Sequence, residues 1–263
     1  NKAYEDAGVP VPTNWSEFVA SAPALEAAGK LPLALGNQPW QSNLAFGAIT
    51  IAIGGLDLWK SINIDKNMEA AAGPEMLKVF EAAAEARALA AKSTVQDWNQ
   101  ATNLVLTGEA GGQIMGDWAQ GEFSIAEKVA GVDYTCLPGL GVNQYISTGG
   151  DAFYFPKLDD PAKEAAQLEL AALMVSQEVQ VAFNLKKGSL PIRGDIDLSA
   201  ANDCMKKGLE ILASGNIVPS GDQVWSPDTV TQVEDMMVEF FKSPDMTPAD
   251  AQARWVEILS ADS

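Results

Sequence analysis

The chain has 263 residues, of which 17 are Lys or Arg and 35 are Asp or Glu, so its formal net charge is −18. It contains two cysteines and no histidine. The absence of histidine excludes a Ser-His-Asp or Cys-His nucleophilic site and any histidine metal ligand. Two cysteines alone cannot build a zinc ribbon or hold an iron–sulfur cluster, so no metal or other cofactor is predicted. A surface this acidic repels nucleic acid and anionic membranes.

The composition, with 47% hydrophobic and 20% charged residues, is that of an ordinary globular protein. The length suffices for one large domain or two small ones. The longest apolar run, residues 44–55, is shorter than the ~20 residues that a membrane span needs. The N-terminus shows neither the pattern of a signal peptide nor an initiator methionine, which favours a mature, processed or truncated chain.

Helix signals alternate with short apolar runs along the chain. Asn14 followed by Glu17 is typical of a capping box, and Gly29 ends the helix that it opens. The predicted helices cover residues 14–29, 44–53, 97–107, 160–176, 177–185, 199–213, 227–242 and 248–259, with further helices beginning at 74 and behind 118. The predicted strands are residues 31–35, 112–115, 134–137 and 152–155. This alternation predicts an α/β architecture with a helical C-terminal end.

Cys136 and Cys204 are far apart in the sequence and allow two interpretations. They are either two unrelated buried thiols or one disulfide. A disulfide closing this loop would stabilise the fold by about 4 kcal/mol in the chain-entropy model. It would also indicate an oxidising compartment outside the cytoplasm.

Three turn segments combine a tryptophan with polar neighbours. Residues 38–41 (Gln-Pro-Trp-Gln) and 116–119 (Gly-Asp-Trp-Ala) each follow a predicted strand, and residues 220–225 (Ser-Gly-Asp-Gln-Val-Trp) lie between two helices. Loops at the carboxyl ends of α/β strands commonly bind ligands. An indole ring covers the C–H face of a pyranose, while carboxylates and amides form hydrogen bonds with its hydroxyls. These turns therefore predict a site for a neutral, hydroxyl-rich ligand.

Any single tryptophan can instead fill a core or a junction between helices. Trp15, Trp59, Trp98 and Trp255 lie outside these turns, and we assign them to the core. For the tryptophans inside the turns, both interpretations stay open.

Several longer strings carry a family resemblance when they are taken in order. Asn-Lys-x-Tyr-Glu-x-Ala-Gly at 1–8 and Val-Pro-Thr-x-Trp-x-Glu-Phe at 11–18 resemble the crossover and first helix of the second lobe of extracellular sugar-binding proteins of ABC importers. The strings at 38–41, 97–99 (Asp-Trp-Asn), 115–123 (Met-Gly-Asp-Trp-Ala-x-Gly-Glu-Phe) and 187–193 (Lys-Gly-Ser-Leu-Pro-x-Arg) are similar to the glucose/mannose-type branch. Maltose-binding protein has the same layout as a more distant relative.

The resemblance implies a type II periplasmic-binding-protein fold, in which two α/β lobes close on a sugar about a hinge. Residues 1–147 and 196–263 correspond to the second lobe, a discontinuous α/β domain. Residues 148–195 correspond to a returning piece of the first lobe, with one strand and two helices. In the family, further first-lobe units precede the position of Asn1, so this chain is expected to lack the N-terminal segment of its own first lobe.

The matching motifs also imply roles for individual residues. Trp40 and Trp118 match tryptophans of the cleft, and Cys136 and Cys204 match a disulfide pair. At the position of Gln223, glucose-type members carry a histidine, so this contact is changed. The substrate-binding residues implied in this way are Trp40, Gln41, Asp117, Trp118, Asp151, Lys187 and Gln223.

The predicted function is non-enzymatic binding of a monosaccharide, glucose or a related aldohexose, in the interlobe cleft. The sugar would be delivered to the membrane permease subunits of an ABC importer, and the protein would be periplasmic or extracellular. One alternative is a carbohydrate-active enzyme, since Asp117, Glu122, Asp151 and Asp222 offer carboxylates that could pair across a glycosidic bond. Another is the sugar-sensing lobe of a receptor, which differs only in its downstream partner.

Overall fold

The computed structural model describes residues 1–262, and helices make up most of this range. The helices are α1 (Lys2–Ala7), α2 (Trp15–Ala27), α3 (Pro39–Ile49), α4 (Gly55–Asn63), α5 (Met68–Ala71), α6 (Pro74–Leu89), α7 (Trp98–Thr107), α8 (Gln120–Ile125), α9 (Pro161–Met174), α10 (Gln177–Lys187), α11 (Asp203–Ser214), α12 (Pro227–Lys242) and α13 (Pro248–Ser260). The strands are β1 (Leu31–Ala34), β2 (Ala110–Gln113), β3 (Ile146–Ser147) and β4 (Ile217–Val218).

The strands form two short parallel pairs. β1 pairs with β2, with Leu31 opposite Ala110, and β3 pairs with β4, with Ile146 opposite Ile217. Parallel strands need a crossover connection, and helices supply it in both pairs. The α/β class predicted from the sequence is therefore confirmed, with the strands fewer and shorter than expected.

Two predicted strands do not form. Within residues 134–137, Tyr134 makes a single bridge to Ala130, and its ring stacks on Phe123 at a centroid distance of 4.2 Å. Residues 152–155 are irregular and exposed, and no strand in the described range pairs with them. Both predictions were wrong because an apolar run becomes a strand only where a neighbouring backbone accepts its hydrogen bonds.

The capping signals placed the helix ends well. The side chain of Asn14 accepts a hydrogen bond from the N–H of Glu17 at the start of α2. Gly108 ends α7 in the left-handed conformation, with φ 76°. The helix predicted at 199–213 begins later, at Asp203, because the side chain of Asn202 caps it.

The predicted helix at 44–53 is part of a longer helical run. A π-helical turn, Thr50–Gly54, joins α3 to α4, so helical structure continues from Pro39 to Asn63. By length and composition alone, this run is long and apolar enough to cross a membrane. Part of it is instead buried inside the protein, where Phe46 contacts Phe80 at 4.7 Å and Trp255 at 5.9 Å between ring centroids.

Most tryptophans assigned to the core are found there. Trp15, Trp59 and Trp255 are buried. Trp225, from the third candidate turn, is buried too, and its indole N–H donates to Asn63 Oδ1 at 2.8 Å. Trp225 therefore stabilises the core through packing and a satisfied buried donor, rather than offering a free ring to a ligand.

Cys136 and Cys204 form a disulfide, with their Cα atoms 5.5 Å apart. It connects the loop after Tyr134 to the first turn of α11. Both cysteines belong to a cluster of apolar side chains that includes Phe123 and Tyr134. The pairing that the family resemblance implied is confirmed.

Residues 148–195 differ from the rest of the chain in how little they bury. The helix α9 has no buried residue, and in α10 only Asn184 is buried. α9 packs on α10, and α10 packs on α8. The exposed large apolar residues of this segment are Phe153, Tyr154, Phe155, Leu168, Leu170, Leu173, Val175, Phe183 and Ile192.

Candidate functional site

A large cavity of about 2010 Å³ is bordered by the segments that follow β1 and β2 and by residues of the 148–195 segment, among others. Trp40 lies in the first turn of α3, the helix that follows β1, and Trp118 lies in a 3₁₀ turn, Asp117–Ala119, that follows β2. Because β1 and β2 are adjacent and parallel, both turns leave the same edge of the sheet. The two indole rings come together there, with centroids 6.3 Å apart and planes inclined at 44°. Five predicted site residues line the cavity: Trp40, Asp117, Trp118, Asp151 and Lys187.

The orientation of Trp40 is held by a chain of polar contacts. Its indole N–H donates to Gln38 Oε1 at 2.7 Å. The amide nitrogen of Gln38 donates in turn to Asp97, the residue that caps α7. Since the N–H is already engaged, Trp40 offers a ligand its ring face and not a hydrogen-bond donor.

The position of the Trp118 ring requires a glycine at residue 116. A Cβ atom added at Gly116 would lie 2.1 Å from the Trp118 ring, so the indole folds back over a backbone position without a side chain. The indole N–H of Trp118 donates to no protein atom within the described residues. Trp118 therefore presents both a ring face and an available donor to the cavity.

Asp117 is held by the turn that follows α10. Its Oδ1 accepts a hydrogen bond from Ser189 Oγ at 2.9 Å, and its Oδ2 accepts one from the Leu190 N–H at 3.3 Å. Asp117 as a whole residue is exposed to solvent. The protein atoms around its carboxyl group nevertheless displace water, and this burial raises the pKa of Asp117. The two hydrogen bonds and the positive charge of Lys187 oppose this increase.

Lys187 and Asp151 form an ion pair in the wall of the cavity. Lys187 Nζ lies 2.5 Å from Asp151 Oδ2, and the two side chains are 28% and 70% exposed. A pair this accessible to water contributes little to stability. Lys187 is the last residue of α10, where Gly188 turns the chain away with φ 83°. The pair therefore places one cation and one anion where a polar ligand can reach both.

Two of the predicted site residues do not line the cavity. Gln41 is fully buried, with its Nε2 donating to the Gln96 carbonyl at 3.3 Å and no hydrogen-bond partner for its Oε1. It fills the space next to Gly36, where an added Cβ would meet its Oε1. The side chain of Gln41 therefore points from α3 into the protein and not into the cavity.

Gln223 is exposed and engaged with its neighbours. Its Oε1 accepts hydrogen bonds from Thr148 Oγ1 at 3.2 Å and from the Ser220 N–H at 3.3 Å. It lies beside the cavity, whose wall includes Ser220 and Asp222. Its position connects the third candidate turn to the start of the 148–195 segment.

Some cavity residues were not predicted from the sequence. Trp98 was assigned to the core, but it is only half-buried and lines the cavity. The sequence did contain a signal that Trp98 belongs to the site, because Trp98 lies in the string 97–99, one of the strings that carry the family resemblance. Glu234 also lines the cavity, and its pKa is raised by burial and by the nearby negative charges of Asp235 and Asp222. Nothing in the local sequence around Glu234 distinguishes it from a surface residue of a helix.

Comparisons with known proteins bear on the family of this chain. Residues 1–181 match the family model described as bacterial extracellular solute-binding protein. The chain is 37% identical over 218 residues to a protein of Rhizobium meliloti (strain 1021) named "Probable sugar-binding periplasmic protein", covering 82% of this chain and 52% of that protein. A protein of the same name from Brucella suis biovar 1 (strain 1330) is also 37% identical, covering 82% and 51%.

A solved structure described as a chitin oligosaccharide binding protein is similar in fold. It superposes with a TM-score of 0.76 at 18% sequence identity, covering 99% of this chain and 67% of that one. This likeness confirms a partial periplasmic-binding-protein fold. The chain spans about half the length of the relatives that it matches in sequence. The family model covers well over half of the chain, and the chain therefore belongs to the bacterial extracellular solute-binding proteins.

Proposed function

We propose that the chain is part of a non-enzymatic protein that binds a sugar and delivers it to an ABC importer. The pair of tryptophans at the carboxyl ends of β1 and β2 is the observation that carries this proposal. Trp40 and Trp118 supply ring faces, and Trp118 adds a free N–H donor. The relatives named as sugar-binding periplasmic proteins support the same assignment.

We propose further that the ligand is a monosaccharide, glucose or a related aldohexose. The indoles of Trp40 and Trp118 are neighbours whose planes are inclined at 44°. They therefore form one angled aromatic wall and do not face each other as two parallel rings with a ligand between them. Such a wall suits a single pyranose ring that stacks on one indole and contacts the other with its edge. Asp151 and Lys187 are then the groups available to bond with ring hydroxyls.

The division into lobes is part of the same proposal. Residues 1–147 and 196–263 form the second lobe, and residues 148–195 belong to the first. The apolar side chains exposed on α9 and around residues 153–155 support this division, because patches of this kind mark a surface that another part of a protein covers. We propose that the N-terminal segment of the first lobe covers them in the full-length protein, and that sugar binding closes the lobes.

The location and the transport partner follow from the family. Extracellular solute-binding proteins act outside the cytoplasm, and the disulfide between Cys136 and Cys204 agrees with an oxidising compartment. The proposed partners are the permease subunits in the membrane. The net charge of −18 would steer the protein toward basic patches on them.

A calorimetric screen of aldohexoses and pentoses against the full-length protein tests the proposal. D-glucose or a related aldohexose is expected to bind with one site per chain and to change the tryptophan fluorescence. The same sugars, offered as oligosaccharides, are expected to release no reducing ends. Release of reducing sugar would favour an enzyme, and a screen in which no sugar binds would remove the proposed function.

A further inference from the structure

Two of the cavity residues, Trp118 and Lys187, lie on stretches of chain that are far apart in sequence. The turn at 116–120 carries Trp118 and leads into α8, while the turn at 187–190 begins at Lys187, the last residue of α10. Lys187 and Trp118 can act on one ligand only if these turns keep a constant position relative to each other. The hydrogen bonds between the turns therefore bear on ligand binding even where they do not contact the ligand.

Gln120 makes the most enclosed of these contacts. Its side chain is 6% exposed, and its Nε2 donates to the Gly188 carbonyl at 2.7 Å. At its other end, Oε1 accepts a hydrogen bond from the Tyr134 hydroxyl at 3.4 Å. Both ends of the amide are engaged, so the side chain has one favourable orientation in this site.

The turns approach so closely at this point that a side chain would not fit. A Cβ atom added at Gly188 would lie 2.4 Å from Gln120 Cβ, which is too close for any side chain at this position. Gly188 also has a positive φ of 83°, which other residues adopt at a cost. Glycine therefore lets the backbone after α10 rest directly on the start of α8.

Asp117 completes the contact from the other side of Trp118. Both of its carboxyl oxygens accept hydrogen bonds from the 187–190 turn, one from Ser189 Oγ and one from the Leu190 N–H. A carboxylate with both oxygens engaged by one turn acts as a clamp on that turn, since hydrogen bonds to a charged group are stronger than neutral ones. Asp117 and Gln120 thus hold consecutive residues: Gly188, Ser189 and Leu190.

We propose that Asp117 and Gln120 are positioning residues that clamp the Lys187 turn against the Trp118 turn. The clamp fixes the distance between the cation of Lys187 and the indole of Trp118, and so sets the geometry that a ligand meets. Asp117 acts here through Ser189 and Leu190, in addition to any contact with the ligand. The role of the clamp as a determinant of sugar affinity rests on the proposed function, while its existence as a contact between the turns does not.

The main test is hydrogen–deuterium exchange of the full-length protein without ligand. Gln120→Met keeps the length of the side chain and removes its donor and acceptor. We expect the amides of Gly188 and Leu190, which donate to the Asn184 carbonyl and to Asp117 Oδ2, to exchange about tenfold faster, as the loss of one to two buried hydrogen bonds implies. Ser189→Ala, at a half-buried position that tolerates the change, is expected to give about a threefold increase for the loss of one bond.

The matched control is Gln252→Met. Gln252 is also a buried glutamine, 7% exposed, whose Nε2 donates to the backbone carbonyls of Ala71 and Gly73 at 2.9 Å. It lies in the packing of α13 on α5, away from the two turns. It is expected to lower stability as Gln120→Met does and to leave exchange at 188–190 unchanged. Equal acceleration in both variants, or none with Gln120→Met and Ser189→Ala, would overturn the clamp.

The affinity for D-glucose provides the second measurement. Gln120→Met is expected to weaken binding about tenfold and Gln252→Met to leave it unchanged, because only the former displaces Lys187. If the wild-type protein fails to bind D-glucose, the proposed ligand is wrong and the exchange result alone decides on the clamp. If D-glucose binds the wild type and Gln120→Met equally well, the influence of the clamp on affinity is refuted while the sugar-binding function stands.

Discussion

The two parts of this chain bury their apolar residues to very different degrees. In the part formed by 1–147 and 196–262, a continuous core includes Phe80, Phe240 and Ile49, each with no exposed surface. In residues 148–195, the buried positions are Asn184 and Gly188, while Tyr154 is 89% exposed. Both parts contain helices that are capped by side chains, so the difference does not come from the capping signals.

The comparison shows that a helix can form correctly and still lack the surface that stabilises it. The side chain of Asp160 caps α9 and that of Ser176 caps α10, so both helices begin where the sequence predicts. Isolated helices of this length are marginal in water, and most of their stability comes from packing. The clamp from Asp117 and Gln120 is therefore important, because it attaches the less packed part to the well-packed one.

The largest expected effect is on the free energy of unfolding, and it differs between the two parts of the chain. Phe80→Ala is expected to lower the free energy of unfolding by about 3–5 kcal/mol, because it leaves a cavity in a fully buried site. Leu168→Ala, at 67% exposure on α9, is expected to change it by less than about 0.5 kcal/mol in the 263-residue chain. Urea denaturation of both variants measures the difference.

Leu168→Ala also tests whether another segment covers α9. In the full-length protein, Leu168→Ala is expected to cost about 2 kcal/mol or more, since the side chain would then be buried. An equally small effect of Leu168→Ala in both proteins would contradict the proposal that a first-lobe segment packs there.

The disulfide is expected to have the next largest effect. Replacing Cys136 and Cys204 together by serine should lower the free energy of unfolding by about 2–4 kcal/mol, because the long loop gains freedom in the unfolded chain. Thermal denaturation of the double variant measures this, and the wild type under reducing conditions serves as the control. Unchanged stability in both would show that the bridge does not constrain this part of the fold.

The next prediction concerns the affinity for sugar, which we expect to depend on Trp118. Trp118→Ala is expected to weaken sugar binding by more than ~1.5 kcal/mol, or about tenfold, because an aromatic surface is lost from the cavity. Trp118→Phe keeps a ring and loses the N–H donor, so it is expected to recover part of the loss. Calorimetry on the full-length protein measures both affinities. If Trp118→Ala binds like the wild type, Trp118 lies outside the site.

The smallest expected effect is a pH dependence confined to residues 148–195. Hydrogen bonds from Arg193 and Gln177 lower the pKa of Asp195 from 3.8 to about 2. A lowered pKa means that the folded state favours the ionised form, so this stabilisation is present above pH 3.8 and is lost as the pH falls through about 2. Asp195 is exposed, so the effect is local rather than global.

NMR of the Gln177 side-chain amide reports on this contact, because its Nε2 donates to Asp195 Oδ2 at 3.0 Å. The amide signal is expected to shift as the pH falls from about 4 to about 2 in the wild type and to stay constant in Asp195→Asn. An identical titration in both proteins would assign the change to another group.

Much of the fold could be predicted from local patterns. Capping residues such as Asn14 and glycines such as Gly108 placed helix ends because these residues satisfy backbone groups of their own turn. The same holds for β1, whose apolar run lies between a glycine turn and the Trp40 turn. Strands at 134–137 and 152–155 could not be decided in this way, since strand formation depends on a partner that is distant in sequence.

In the site, too, some features could be predicted from the sequence and others depend on the tertiary structure. The sequence alone determined that tryptophan turns follow two strands, and the parallel pairing of β1 with β2 then brings Trp40 and Trp118 together. Only the tertiary structure decided that Gln41 points into the protein while Trp98 reaches the cavity, and that Asp117 clamps a distant turn. The physical reason is that side-chain roles depend on burial and on hydrogen-bond partners, which packing between distant segments creates.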